Sequence, residues 1–201
     1  FVHLVQEYPW VKRFECWNEY IGGFVSGPAL QNRSVYYPQM LRAAATAVRR
    51  VRTDVLIGGG AAEDIPIPSF DWMGPDLITY SNGIVIHPYS YAEDIVSKVT
   101  ALQRDLAARN GNRPVPVWAT EWSMQTTDKT ADGRRQVANY AARVAILMHS
   151  VGIDRMHWFM MNDFQNWPRG MVRSEKDSQG RFAVTPVRLP PSVAASVFAS
   201  V

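Results

Sequence analysis

The sequence predicts an α/β fold of the (β/α)8-barrel type, with only about five of the eight strand–helix units present. Two observations predict it. Short apolar runs of strand character alternate along the whole chain with long helical patterns, which is how βαβ units and a mainly parallel sheet read. The chain has 201 residues, whereas a complete barrel typically takes about 250. With 47% hydrophobic residues, it is long enough to bury one substantial core, and a single domain over residues 1–201 is expected.

Taken in order, Phe1 to Tyr8 reads as the tail of a helix, and Val11 to Trp17 as the first strand. A helix at about Tyr36 to Val51 follows, with Ala43, Ala44, Ala45, Ala47 and Val48 giving high propensity and an apolar face. Val55 to Gly58 is a short buried strand ending in Gly59 and Gly60. The Gly58-Gly59-Gly60 run lacks both G-x-G-x-x-G spacing and a phosphate-binding lysine, so it is assigned to a tight turn. Pro66 to Met73 is a short helix, and Ile84 to Ile86 a strand running into His87. A long helix then occupies roughly Ala92 to Asn110 until Gly111 stops it. Val115 to Thr120 is the fourth strand, with Pro114 and Pro116 confined to its beginning. A helix over Asp132 to Ser150 leads to a fifth strand at Met156 to Met160. Asn162 to Val187 is a long polar excursion, a candidate flap carrying Asp163. Arg173 to Lys176 reads as a solvated turn, and Ser192 to Val201 as a closing helix after Pro190 and Pro191.

Composition excludes several function classes. The 21 Lys and Arg against 18 Asp and Glu leave a formal charge of only +3. The basic residues are dispersed apart from Arg49, Arg50 and Arg52 at a helix end, so no nucleic-acid stripe is present. No apolar run reaches the roughly 18–20 residues of a membrane span. Cys16 is the single cysteine, which rules out an internal disulfide framework and a thiolate metal site. It is expected to point toward the helices as a buried thiol. His3, His87, His149 and His157 show no ligand spacing, so neither a catalytic metal nor a cofactor is expected. His157 is expected to face the helical layer. An opening at Phe1 fits a removed leader, a cleavage or a shortened chain alike, and the compartment stays open, with secretion one option.

Parallel α/β folds place chemistry where strands end and loops begin. Glu19 closes the run Phe14-Glu15-Cys16-Trp17-Asn18-Glu19, and Glu121 closes Val117-Trp118-Ala119-Thr120-Glu121. Strand alternation puts Glu19 on a face with Trp17 and Glu15, and Glu121 on a face with Ala119 and Val117, where small residues suit a crowded interior. If both faces point inward, the two carboxyl groups converge. Glycosidic cleavage through a covalent intermediate needs such a pair, one protonated and one ionised, about 5–5.5 Å apart. The competing reading makes each glutamate a polar strand terminus.

The run Phe14 to Glu19 resembles the strand-4 signature of clan A glycoside hydrolases, in which an Asn-Glu pair carries the acid/base. Thr120-Glu121-Trp122 resembles that clan's strand-7 nucleophile motif, His87-Pro88-Tyr89 its strand-6 motif, and Trp158 its strand-8 tryptophan. The order and spacing match strands 4 to 8, and the nearest likeness is to family 39, which includes β-xylosidases, with family 5-like members the alternative. The resemblance implies Glu19 as acid/base, Glu121 as nucleophile and Asn18 on the sugar 2-hydroxyl. It implies too that Tyr89 orients the nucleophile, that His87 lines the same subsite, and that Trp158 stacks on a pyranose face. Tyr20 stands where the clan often has proline, and the clan's first three strands have no counterpart here.

Trp122 and Trp167 carry two readings, sugar contact or core. A parallel sheet without closure exposes strand edges, so association with a second copy or with a complementing upstream chain is expected. Two functions follow: a retaining glycosidase acting on a carbohydrate substrate, or a partial barrel that binds sugar or self-associates without turnover.

Overall fold

A computed structural model of the chain describes residues 1–153, 155–163 and 167–192. Its contacts group into two compact units: Phe1–His87 with Lys98–Thr120, and Pro88–Ser97 with the chain from Glu121 onward. The fold is the expected partial (β/α) barrel, with sequential strands paired in parallel.

In the first unit the strands run in the order β1 (Arg13–Glu15), β2 (Leu56–Glu63), β3 (Gly83–His87) and β4 (Val117–Trp122, to Thr120 in this unit). The connecting helices are α1 (Val2–Glu7), α2 (Pro28–Gln31), α3 (Arg33–Val51), α4 (Ile67–Met73), α5 (Asp76–Tyr80) and most of α6 (Ala92–Arg109). Helix α3 shows why the sequence folds this way. Tyr37, Leu41, Ala45 and Val48 recur at helical spacing and are buried, while Arg49 and Arg50 occupy its last turn, where cations offset the helix dipole. Strand β3 is buried at every position, as a central parallel strand covered on both faces must be.

The glycine run is strand and not turn. Gly58, Gly59 and Gly60 all lie in β2, where the register shifts between Gly59 and Ala62. Gly60 has φ +104°, which a side chain would resist. Packing explains the first of them. Gly58 pairs with Gly83, and a Cβ on Gly83 would fall 2.5 Å from the Trp118 ring, one on Gly58 3.1 Å from it. Two bare positions side by side thus form the slot in which Trp118 lies.

The second unit holds Glu121 and Trp122 at the end of β4, α7 (Ala131–Ser150) and β5 (Met156–Trp158). Phe159 donates its N–H to the Trp122 carbonyl at 2.9 Å, carrying the sheet beyond β5. Helix α7 starts where expected because the Thr130 hydroxyl accepts from the Gly133 N–H at 3.1 Å. It buries Val137, Ala141, Val144, Ala145 and Met148.

Other elements differ from expectation. The polar excursion contains an antiparallel hairpin, β6 (Val172–Lys176) and β7 (Phe182–Arg188); the expected solvated turn at Arg173 to Lys176 is therefore strand. Its actual turn is closed by the Asp177 carboxylate, which accepts from the Gln179 and Arg181 N–H groups. His157 is exposed, not covered by helices. The expected closing helix, beyond Ser192, lies outside the described residues. Among the described residues no helix is long and apolar enough to cross a membrane.

Filling the tryptophan slot tests the packing argument. Gly83→Ala is expected to destabilise the fold by about 1–3 kcal/mol, the usual range for overpacking, read as a lowered midpoint in urea denaturation with an unchanged slope.

Candidate active site

Glu19 does not continue its strand. β1 stops at Glu15, and the Cys16 N–H makes one more sheet bond, to the Gly58 carbonyl at 2.9 Å. The backbone then turns left-handed at Trp17 (φ 81°) and Glu19 (φ 40°), until the Tyr20 N–H rejoins β2 at the Ala61 carbonyl, 2.9 Å away. Each left-handed non-glycine residue costs about 1–2 kcal/mol, and such strain collects where side chains must be aimed. Trp17 is consequently turned outward, 49% exposed, with its indole N–H donating to the Phe24 carbonyl at 3.0 Å. The alternation that placed Trp17 and Glu19 on one face fails here. Asn18, between them, is half-buried.

The turn delivers the Glu19 carboxyl to His87, whose Nδ1 lies 2.9 Å from Glu19 Oε1. His87 is fully buried at the end of β3. Its Nε2 meets Thr120 Oγ1 at 3.1 Å, and that hydroxyl donates to Glu15 Oε2 at 2.9 Å. A hydroxyl has one hydrogen, so with Glu15 ionised Thr120 accepts from His87 and the Nε2 hydrogen is fixed. Nδ1 is left facing the Glu19 carboxyl as its direct hydrogen-bonding partner.

Thr120 shares its strand face with Trp118, so the face that meets Glu15 and His87 is not the expected small-residue face of Val117 and Ala119. Cys16 is buried as expected. Burial first, and the negative charge of Glu15 second, push its thiol up to about 11, which leaves it an unreactive core group.

The second unit positions Glu121. The Tyr89 hydroxyl donates to Glu121 Oε2 at 2.7 Å, and both residues are half-buried. Trp158, half-buried at the end of β5, donates its indole N–H to the Arg169 carbonyl at 2.7 Å. Trp122 packs edge-on against Trp158, with ring centres 4.8 Å apart and planes at 90°. Trp122 itself is buried and backs Trp158. Trp167 is half-buried, with the Arg169 guanidinium 4.0 Å from its ring centre. Asp163 is tied down: it takes Arg134 at 2.7 Å and the Gly170 N–H at 2.8 Å, fixing the base of the excursion.

The first unit thus brings together Glu19 and His87 of the anticipated residues. The second brings together Tyr89 with Glu121, and Trp158 with Trp122. Thr120, Ser123 and Arg169 were not anticipated. Thr120 was legible from its alternation with Trp118, whereas Arg169 stands alone in a polar stretch and carries no sequence signal.

The family described as glycosyl hydrolase catalytic core matches residues 79–179. Similar solved structures include a GH39 beta-xylosidase from Caulobacter crescentus, 18% identical with TM-score 0.67, covering 100% of this chain and 45% of that one. A family 39 glycoside hydrolase from the gut symbiont Bacteroides cellulosilyticus WH2 is 19% identical with TM-score 0.70, covering 100% and 43%. A GH51 arabinofuranosidase from Xanthomonas axonopodis pv. citri is 13% identical with TM-score 0.67, covering 94% and 42%. The chain therefore spans less than half the length of these structures. No curated protein matches the sequence.

The hydroxyl between His87 and Glu15 has a measurable role. Thr120→Val removes one donor and one acceptor from a part-buried network and is expected to cost about 1–3 kcal/mol in chemical denaturation.

Proposed function

The chain belongs to the glycosyl hydrolase catalytic core family, and from that premise we propose that it carries the catalytic residues of a retaining hydrolase of β-linked glycosides. Glu121 is the nucleophile and Glu19 the acid/base. The observation that supports this assignment is the contrast in the partners of the two carboxyls. Glu19 sits on a buried histidine, 2.9 Å from its Nδ1, a group able to relay a proton. Glu121 accepts a phenol hydrogen bond, which holds its carboxyl by one oxygen in a fixed orientation.

In the first step Glu121 attacks the anomeric carbon while Glu19 gives its proton to the departing oxygen, and a glycosyl-enzyme forms. In the second, Glu19 takes a proton from water, whose oxygen attacks the anomeric carbon from the face the first leaving group vacated, opposite Glu121, and frees the Glu121 carboxylate. Retention calls for carboxyl groups about 5–5.5 Å apart. Asn18 holds the sugar 2-hydroxyl, a bond that tightens as charge develops at the neighbouring carbon. His87 lines the same subsite and holds the Glu19 carboxyl in place. Trp158 offers a flat apolar surface to the pyranose, made rigid by Trp122 behind it, and Trp167 borders the same wall. The similar structures include enzymes named for xylose and arabinose units, so pentosides are the first substrates to try.

Association is part of the proposal. β1 stands at the end of the strand order, and Phe1, Leu4, Tyr8 and Trp10 beside it are all exposed. A second copy or an upstream polypeptide covers this edge. Light scattering is expected to give more than one chain per particle; a monodisperse single chain would count against it.

Release of nitrophenol from aryl β-xylosides or β-glucosides tests the chemistry. Glu121→Gln is expected to abolish it. Glu19→Gln is expected to slow it by roughly 10²–10⁴-fold, with less loss on substrates whose leaving group needs no proton. Sugar binding without turnover in the parent chain would instead favour the non-catalytic reading.

A further inference from the structure

We propose that Arg169 is a positioning residue whose buried charge, applied to the ring of Tyr89, strengthens that phenol as a donor and so fixes the carboxylate of Glu121. The inference rests on the reading of Glu121 as nucleophile.

Arg169 is 1% exposed. A guanidinium at that depth is costly unless a carboxylate pairs with it, yet among the described residues Arg169 has no ion pair, and its Nε has no hydrogen-bond partner. The groups it touches are neutral. One NH2 group donates to the hydroxyl of fully buried Ser123 at 2.6 Å. Three aromatic faces surround the cation, Trp167 at 4.0 Å, Phe159 at 5.0 Å and Tyr89 at 5.6 Å. Burial pulls its pKa down, and what opposes this is first Tyr89 and then Glu121.

A cage of three rings and a serine would be filled as well by an apolar side chain of the same length, without any desolvation penalty. Packing therefore does not account for an arginine. Its charge acts on what it faces. A cation over an aromatic ring draws electron density from it, and the Tyr89 ring carries the hydroxyl that donates to Glu121 at 2.7 Å. The path from Arg169 through the phenol to the carboxylate needs no direct contact between the two charges. It orients one carboxylate oxygen while leaving the other uncovered by the cation.

The two roles separate in one set of variants. In Arg169→Met the proposal expects a denaturation midpoint that is unchanged or raised, with kcat lower by about tenfold to a hundredfold, below the usual loss for a direct transition-state donor, and KM nearly constant. Arg169→Lys, which keeps the charge, recovers part of kcat. In a Tyr89→Phe background Arg169→Met adds little further loss, because the path is already cut. A lowered midpoint in Arg169→Met, or the same fold-loss with and without the Tyr89 hydroxyl, overturns the proposal. A readout independent of turnover is the 13C resonance of the Tyr89 ring carbon bearing the hydroxyl, identified by its loss in Tyr89→Phe. It is expected to move in Arg169→Met and to return toward the parent position in Arg169→Lys. An unmoved resonance overturns the inference. A parent chain that releases no nitrophenol but shows that movement overturns only the assignment of function.

Discussion

A histidine with no exposure cannot leave either ring nitrogen without a partner, and that constraint organises the first unit. His87 ends β3, the strand buried at all five positions, so water cannot supply what the protein omits. Nε2 is satisfied by Thr120, a residue of the next strand, and Nδ1 by Glu19, beyond the end of the strand on the other side of β2. Meeting the second requirement forces the chain out of β1 into two left-handed residues. The strain at Trp17 and Glu19, the outward turn of Trp17 and the fixed tautomer of His87 are consequences of one buried imidazole.

The second unit solves a different problem with different chemistry. Here a carboxylate is held by a phenol, and the surrounding wall is aromatic: Trp122, Trp158, Phe159, Trp167 and Tyr140, whose hydroxyl donates to the Ser90 carbonyl at 2.7 Å. Aromatic walls suit a ligand whose faces are C–H and whose edges are hydroxyl. They hold little charge of their own, so the few polar atoms among them set the electrostatics. In the first unit a carboxyl is held by an imidazole; in the second one is held by a phenol.

Much of this was legible in the sequence, and the reasons are specific. Helices α3, α6 and α7 follow their apolar spacing, and the breakers Gly111 (φ 62°) and Gly152 (φ 82°) adopt the left-handed backbone that only glycine takes without strain. Glu19 and Glu121 could be singled out because strand ends are where parallel folds expose side chains. What stayed hidden depended on neighbours distant in the chain. Gly83 is bare because of Trp118, and Gly58 because of Val85 first and Trp118 second, all on other strands, and no local pattern reveals that. β7 was obscured by Pro186 in its middle, tolerable because a two-stranded hairpin has only edge strands. The departure of Glu19 from its strand could not be read because left-handed backbone at non-glycine residues leaves no mark in composition.

The attachment of Cys16 and of Tyr20 to successive parts of β2 bears on how relatives of this chain can diverge. Trp17, Asn18 and Glu19 span a gap with both ends fastened, so an insertion or deletion there would swing the carboxyl away from its histidine. Beyond Tyr20 the ties continue as far as Phe24, through the Gly22 N–H to the Glu19 carbonyl and the Trp17 indole to the Phe24 carbonyl, so changes of length are easier to place after Phe24. The freedom to vary in length is thereby kept apart from the aim of the Glu19 carboxyl at its histidine.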